Sequence, residues 1–338
     1  EYFRGNAKLL AEDGYFTDFI SNGVSTELCF VAFCAFTLII IFAGVQNGIE
    51  RVSKIMMPIL IVLSVIIAVY SVTRPGALAG VKYFLVPNVK NFSWMTVVSA
   101  MGQMFYSLSI AMGILITFGS YMKKDTAIED STRNVEIFDT GIAIMAGLMI
   151  IPAVFAFSGG DPDTLQAGPS LMFITIPKVF QNMGFGTVIG IVFFLLVLFA
   201  AVTSSIALTE SAVSTFEDEL GWGRKKATVL VGVIMLALGS LSSLGYGPLA
   251  GIKIIGMQFL DLFDFLTNSV MMPIAALLTS LFVSRVVGID KIEAEIIHGE
   301  SAFRRKKVFV VMIKYLCPVF AIIILLSSVA NALGWIKM

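Results

Sequence analysis

The sequence predicts an all-α, polytopic membrane protein, and three observations point to that fold class. The 338 residues are 57% hydrophobic and 14% charged, whereas soluble domains carry about 25% charged residues. The mean hydropathy is +0.92. Eight charge-free runs are long enough to cross a bilayer, and they lack the alternating pattern of a β-barrel. Because backbone polar groups cannot stay unpaired in lipid, each run is expected to span as a helix.

Two of the eight runs, with 32 and 31 residues, are longer than one straight span requires. Trp94 and Trp335 lie near span ends, as interfacial tryptophans do. The apolar segment LMFITIPKVF is too short for a ninth span, and we expect a re-entrant or capping helix there. The predicted spans are Leu28–Ile49, Ile55–Thr73, Asn91–Met122, Thr140–Gly160, Val179–Thr209, Thr228–Ile252, Phe265–Ser284 and Tyr315–Ile336.

Basic residues are shared unevenly between the two sides of the predicted bundle. One set of alternate connections carries 15 Lys and Arg residues, and the other carries 8, among them Arg4 and Lys337. The positive-inside rule places the richer set in the cytoplasm and both ends of the chain outside. An external start without a signal peptide is what a missing odd number of preceding helices would leave.

Composition also excludes several classes of function. The net charge is zero, so nothing points to nucleic acid. Cys29, Cys34 and Cys317 show no metal-binding spacing and His298 is the only histidine, which excludes a zinc or disulfide framework. The apolar runs contain no carboxylate pair, so an intramembrane enzyme is not expected. The chain also lacks a ring-forming filter motif that would indicate a channel.

The run Asn91–Met122 carries polar residues at its middle, in the stretch GQMFYSLSIAMG. Ser107 and Ser109 are two residues apart and point to different faces of any regular helix. Ala111 and Gly113 follow, where the backbone could be approached closely. A helix broken at mid-membrane, lining a cavity for a small polar ligand or cation, explains this pattern. A tight helix–helix contact through small residues is the simpler interpretation, and this stretch alone leaves both open.

A second group of hydroxyls lies in the stretch FAAVTSSIALTES. Ala200, Ser204 and Leu208 are four residues apart and form one stripe on a helix. Thr203 flanks that stripe, whereas Ser205 points elsewhere. Hydroxyl and carbonyl oxygens suit a hard monovalent cation such as sodium, and the aliphatic residue suits the apolar body of a ligand.

Three carboxylates lie at the ends of apolar runs. Asp139 is either a helix N-cap facing cytoplasmic water or an intramembrane carboxylate that neutralises a bound cation. Asp218 and Asp264, considered alone, are solvated charges at span ends. Gly48 and Pro58, ten residues apart, mark either a span end that unwinds or a plain loop followed by a proline-containing helix.

Four stretches together, GQMFYSLSIAMG, FAAVTSSIAL, FEDELGWGRKKA and GPSLMFITIPKVF, resemble the neurotransmitter:sodium symporter family in its bacterial branch. The resemblance extends over essentially the whole chain. It implies a LeuT-type inverted-repeat bundle with broken helices around a midplane site, here helices four to eleven, the first three being absent. On this pattern one transmembrane domain comprises an external loop at 1–27, the end of the first repeat at 28–73, the second repeat at 91–284 and the last span at 315–336.

The resemblance also implies roles for residues of the first polar stretch, which corresponds to the family's unwound sixth helix. Tyr106 would be the aromatic lid over the substrate, Ser107 a ligand shared by the substrate and the first sodium ion, and Ser109 a pocket residue. Met112 stands where relatives often carry phenylalanine, and its flexible thioether suits hydrophobic or aromatic amino acids. Gln103 would lie near the outer gate.

The same pattern assigns the remaining ligands. The carbonyl of Ala200 and the hydroxyls of Thr203 and Ser204 would form a second sodium site, with Ser204 and Leu208 lining the substrate pocket. Asp139 stands where many relatives have an asparagine that binds the first sodium ion. Its negative charge could replace the chloride that some members require, which implies chloride independence. No organic cofactor is implied.

The family pattern further implies two gates. Asp264 would be the acid of the outer gate and Asp218 that of the inner gate, with Tyr121 beside the inner network; each arginine partner would lie in the missing N-terminal part. The spacing of Gly48 and Pro58 matches a family feature that permits unwinding. We therefore expect a bacterial inner-membrane symporter that couples sodium to a neutral, hydrophobic or aromatic amino acid by alternating access. A sodium-dependent receptor that binds the amino acid without transport is the alternative.

Overall fold

A computed structural model of the chain describes residues 2, 5–12, 14–161, 168–300 and 302–332, excepting the side chain of Asn91. Those residues form helices and connections, with a single isolated β-bridge between Ile254 and Met257. The α-helices are α1 (Ala7–Leu10), α2 (Tyr15–Ser21), α3 (Gly23–Phe42), α4 (Arg51–Val72), α5 (Ala77–Leu85), α6 (Trp94–Ser107), α7 (Ile114–Ser120), α8 (Ile128–Ser158), α9 (Ile176–Gln181), α10 (Gly186–Leu220), α11 (Arg224–Leu244), α12 (Phe259–Asp264), α13 (Met272–Leu281), α14 (Ile289–Gly299), α15 (Lys306–Val311) and α16 (Cys317–Ala332).

Wider π-helical turns extend or join several of these helices. The π turn Val45–Glu50 precedes α4, and Leu171–Thr175 precedes α9. The turn Phe265–Met271 joins α12 to α13, Phe282–Val287 follows α13, and Met312–Leu316 joins α15 to α16. A short 3₁₀ turn covers Val89–Asn91.

Seven helices within the described ranges are long and apolar enough to cross a membrane, judged by length and composition. The sequence predicted eight, and the eighth is not confirmed: the run Asn91–Met122 divides into α6 and α7, neither of which is long enough. The end of the last predicted span, with Trp335, lies outside the described residues, as do Arg4 and Lys337 of the charge count. The seven are Gly23–Phe42, Val45–Val72, Ile128–Ser158, Gly186–Leu220, Arg224–Leu244, Phe259–Val287 and Lys306–Ala332.

Charged residues lie inside these helices more often than the sequence suggested. The stretch 1–27, expected to be a loop, contains α1 and α2, and α3 begins at Gly23. Glu27 lies inside α3, because hydroxyls of Ser240 (2.6 Å) and Ser243 on α11 donate hydrogen bonds to its carboxylate. The partly buried carboxylate of Glu27 is tolerated inside the helix because these donors satisfy it.

The chain divides into two compact units, of which the first contains residues 1–89, 140–209 and 216–252. Its core includes the fully buried Ile67, Ile176 and Phe180. Glycine permits the close helix contacts: a Cβ at Gly80 would lie 2.8 Å from the Cα of Pro152 in α8. Such small-residue contacts are typical of packing between membrane helices.

The short apolar segment and the Gly48–Pro58 pair both lie in this first unit. Residues Leu171–Gln181 form one short apolar helix rather than a span, as the sequence predicted. Gly48 lies in a wound π turn and Pro58 inside α4, so the inner end of this helix is coiled in this structure. A Cβ at Gly48 would lie 2.1 Å from the carbonyl oxygen of Ile40, so only glycine fits there.

The second unit contains residues 90–139, 210–215 and 253–338. The hydroxyl of Ser280 in α13 donates to the carbonyl oxygen of Ile313 (2.6 Å), next to α16. The break between α6 and α7 and the beginning of α8, which includes Asp139, also belong to this unit.

Candidate functional site: a broken helix and a hydroxyl stripe

The break between α6 and α7 begins directly after Ser107. Three residues in the next six have left-handed backbone conformations: Ser109 (φ 54°), Ala111 (φ 64°) and Gly113 (φ 79°). A left-handed conformation costs an L-residue about 1 kcal/mol or more. Two non-glycine residues held this way within three positions mark a strained segment, and strain of this kind is common at functional sites.

Contacts from α10 hold the far side of the break in place. The hydroxyl of Ser211 lies 3.5 Å from the carbonyl oxygen of Met112, and a Cβ at Gly113 would approach that hydroxyl to 2.6 Å. Thr117 continues the seam, 3.4 Å from Ser211 and 3.2 Å from Ser214 between hydroxyl oxygens. A helix therefore packs tightly against the break, so both features that the sequence left as alternatives occur together.

Asp139 lies beside the broken helix. The hydroxyl of Ser107 donates to its Oδ1 at 2.5 Å. Because α8 begins at Ile128, Asp139 stands about three turns inside a helix, so it is not an N-cap. A carboxylate and a serine oxygen that converge at a helix break are hard oxygen ligands of the kind an alkali cation accepts.

The stripe on α10 presents a second set of oxygens, in the first unit. The hydroxyl of Thr203 lies 3.0 Å from the carbonyl oxygen of Ala200 and 3.1 Å from that of Phe199. Ser204 is exposed, and Leu208 is 49% exposed on the same stripe. The Ser205 hydroxyl instead lies 3.0 Å from that of Thr37 in α3, which agrees with its predicted different direction. The helix itself stays unbroken here.

Tyr106 and Asn268, the hydrogen-bond partner of Asp264, line one cavity in the second unit. Tyr106 is 53% exposed and lines a cavity of about 170 Å³ together with Asn268. The side-chain amide of Asn268 donates to Oδ1 of Asp264 at 2.6 Å. This hydrogen bond orients the Asp264 side chain at the end of α12. The sequence analysis did not identify Asn268 as its partner.

The other two predicted gate residues show no such arrangement. Gln103 is exposed on α6, and Asp218 is exposed in the last turn of α10. Their positions agree equally with a gate and with a solvated surface.

Glu210 is a functional candidate that the sequence analysis missed. It is fully buried in α10 and accepts a 2.7 Å hydrogen bond from the hydroxyl of Tyr121. The predicted run Val179–Thr209 ends directly before Glu210, although Glu210 follows Thr203 by seven residues. A spacing of seven repeats one helical face, and that spacing was the available signal.

These features define a class of protein: a multi-pass membrane protein with side-chain oxygens at a discontinuous helix, an arrangement typical of secondary transporters. The sequence model of the Sodium:neurotransmitter symporter family matches residues 1–335. The chain belongs to that family, and the resemblance noted in the sequence is confirmed. The family's members are transporters rather than enzymes.

Individual relatives agree with this assignment. The chain is 34% identical to the uncharacterized sodium-dependent transporter YhdH of Bacillus subtilis, over 93% of this chain and 69% of that protein. It is 31% identical to an uncharacterized sodium-dependent transporter of Haemophilus influenzae, over 86% of this chain and 62% of that one. It is 30% identical to the uncharacterized sodium-dependent transporter MJ1319 of Methanocaldococcus jannaschii, over 76% of this chain and 52% of that protein. The chain thus spans about half to two thirds of its curated relatives.

A solved structure shares the fold. The crystal structure of MhsT in complex with L-phenylalanine superposes with a TM-score of 0.83 at 34% identity, covering 97% of this chain and 74% of that chain. The fold is therefore of the LeuT type that the sequence resemblance implied.

Proposed function

We propose that the protein couples sodium to the transport of a neutral amino acid with a hydrophobic or aromatic side chain, by alternating access and without chloride. The observation that carries this proposal is the hydrogen bond between Ser107 and Asp139 at the left-handed break. Family membership and the sodium-dependent relatives support the coupling ion.

The charge of Asp139 explains why a cation belongs at this site. An ionised carboxylate inside a membrane protein is unfavourable unless a positive charge or several donors neutralise it. The Ser107 hydroxyl supplies one donor, and a sodium ion would supply the missing charge. Because the negative charge is covalently fixed, no chloride ion is needed to balance the bound cation.

A second sodium ion would use the α10 stripe. The carbonyl of Ala200 and the hydroxyl of Thr203 already lie 3.0 Å apart, and Ser204 stands next in the chain. Moving one charge through a membrane potential releases about 2.3 kcal/mol per 100 mV. At a membrane potential of about 100 mV, two ions therefore release about 4.6 kcal/mol, which is enough for about a thousandfold accumulation of a neutral substrate.

The substrate ligands carried over from the family resemblance are both polar and apolar. Backbone groups freed at the break, with Ser107, Ser109 and Ser204, suit the charged groups of a zwitterion. Tyr106, Met112 and Leu208 suit an apolar side chain, and Met112 can adapt to several shapes. MhsT, the similar structure, was solved with L-phenylalanine, which supports this class of substrate.

Alternating access would use gates on both sides. Asp264, oriented by Asn268 and with Gln103 nearby, would close the outer path; Asp218 and the Tyr121–Glu210 pair would close the inner one. Unwinding between Gly48 and Pro58 would then expose the second sodium site, on the α10 stripe, to the inner side. Asp264 and Asp218 are exposed, and solvent-screened pairs formed by them would suit a gate because such pairs must break in each cycle.

The chain would supply family helices four to eleven, in the repeats at 28–73 and 91–284 and the last span at 315–336. The inner membrane of a bacterium would be its location.

The test is uptake of labelled L-phenylalanine and L-leucine by the whole protein in liposomes. An imposed sodium gradient should drive uptake, and replacing chloride by gluconate should leave it unchanged. Uptake that is indifferent to sodium would overturn the proposal. Sodium-dependent binding without accumulation would replace it by the receptor function.

A further inference from the structure

The connection between α14 and α15 lies directly against the beginning of α8. Backbones touch there, since a Cβ at Gly299 would lie 2.6 Å from the carbonyl oxygen of Thr126. Both segments belong to the second unit. Both also belong to the set of connections that the basic residues place in the cytoplasm.

Two glutamates at this contact each accept backbone amides of the opposite segment. Oε1 of Glu300 accepts the amide of Glu129 at 2.6 Å and lies 3.4 Å from the amide of Asp130. In return, the carboxylate of Glu129 accepts the amides of Arg304 at 2.8 Å and Arg305 at 3.1 Å. The first amides of a helix lack partners within it and attract negative charge. Glu300 therefore closes the start of α8 from a segment about 170 residues further along the chain.

Charge and burial make Glu129 the centre of this clamp, by which we mean Glu129, Glu300 and the four amides they accept. The Glu129 side chain is 11% exposed, whereas Arg305 and Glu136 are 49% and 47% exposed. Arg305 lies 3.9 Å from Glu129 and 2.9 Å from Glu136. The outer ion pair is screened by solvent, so the backbone bonds to the shielded Glu129 hold more firmly.

The clamp stands on the helix that carries Asp139. Helix α8 is continuous from Ile128 to Ser158, and ten residues separate Glu129 from Asp139, a rise of about 15 Å. A helix transmits axial position and rotation over that length with little loss. The clamp and the Asp139 carboxylate, which lies opposite Ser107, thus belong to one unbroken helix.

We propose that Glu300 and Glu129 are positioning residues for the cation site, holding α8 in the register that brings Asp139 to Ser107. The inference rests on the proposed sodium function. Neither glutamate touches the ion; each acts through the backbone of another segment.

Sodium titration of uptake tests the positioning role. Glu300→Ala should raise the sodium concentration for half-maximal uptake about fivefold, because the acceptor of the Glu129 and Asp130 amides is lost. Glu300→Gln keeps an acceptor oxygen and should shift it less. Glu295→Gln is the control: it removes one negative charge from α14, at a residue that lines one cavity with Glu129 and accepts none of the four amides. A purely structural role would lower the maximal rate in Glu300→Ala and leave the sodium dependence equal to that of the control, which would overturn the proposal.

Hydrogen exchange of the purified protein separates this proposal from the transport function. The amides of residues 129, 130, 304 and 305 should exchange slowly in the wild type and in Glu295→Gln, and faster in Glu300→Ala. Fast exchange in the wild type would overturn the clamp even if uptake is sodium-driven. If Glu300→Ala does not fold, Glu129→Ala carries both measurements, because it removes the acceptor of the Arg304 and Arg305 amides, and an unchanged sodium dependence there would again reject the positioning role.

Discussion

The break between α6 and α7 and the hydroxyl stripe of α10 present oxygen ligands in two different ways. At the break, the backbone leaves the helical conformation at Ser109 and Ala111, and an aspartate lies against the last helical serine. On α10 the helix is intact, and Thr203 places its hydroxyl beside a carbonyl of its own helix. The first arrangement supplies charge and freed backbone groups; the second supplies neutral oxygens only. The two candidate sodium sites should therefore respond differently to substitution, salt and backbone strain.

The largest expected effect comes from filling the break. Gly113→Val should abolish uptake, because valine disfavours φ 79° and its Cβ would lie 2.6 Å from the Ser211 hydroxyl. Uptake in liposomes measures the effect. Gly119→Ala is the control, since a Cβ there meets nothing within 4 Å. Gly113→Ala with Ser211→Gly separates the two causes, and full recovery in that pair would show that the conformation of the break is not required.

Removing the fixed charge should have the next largest effect. Asp139→Asn should lower uptake about a hundredfold in chloride-free buffer and recover when chloride is added, because a neutral amide no longer balances the cation. Uptake in chloride and in gluconate measures this. Chloride-insensitive activity in the variant would refute the role given to Asp139.

A smaller effect is expected on the intact helix. Ser204→Ala should raise the half-maximal sodium concentration about tenfold, the loss of one neutral ligand. Ser205→Ala removes the neighbouring hydroxyl, which faces Thr37 instead, and should leave the sodium dependence unchanged. Equal shifts in both variants would mean that the stripe is not a cation site.

The smallest effect should come from the inner pair. Tyr121→Phe removes one hydrogen bond to the buried Glu210 and should change the transport rate about threefold, with little change in sodium dependence. The double substitution with Glu210→Gln should show an effect smaller than the sum of the two singles. Additive effects would indicate that the two residues do not act together.

The sequence revealed the apolar spans well and the boundaries of their helices poorly. Apolar runs stop at charges, so Glu27, Asp139 and Glu210 fall just outside the predicted runs. In the structure each lies inside a helix and accepts a hydrogen bond from a hydroxyl elsewhere in the fold. Hydropathy records the cost of a charge but not the partner that offsets it. Partners distant in sequence, such as Ser240 for Glu27, cannot be read from one chain.

The residues alone did not decide whether the helix breaks in this stretch, because small residues such as Ala111 and Gly113 suit both close helix packing and a broken helix. The family resemblance, not the periodicity, favoured a broken helix. The clamp of Glu129 and Glu300 gave no sequence signal, since two glutamates in polar connections are ordinary surface residues. The π turns were likewise beyond prediction, because their sequences match those of α-helices.

Asp264 is followed at once by the wide turn Phe265–Met271. A π turn holds one surplus residue within its hydrogen-bonded ring. If the extra residue moved along the span, the helical segment on one side would rotate by about 100° about the helix axis, and the chain would stay helical. Such swivelling would swing the carboxylate of Asp264 toward or away from an opposing partner without melting any helix.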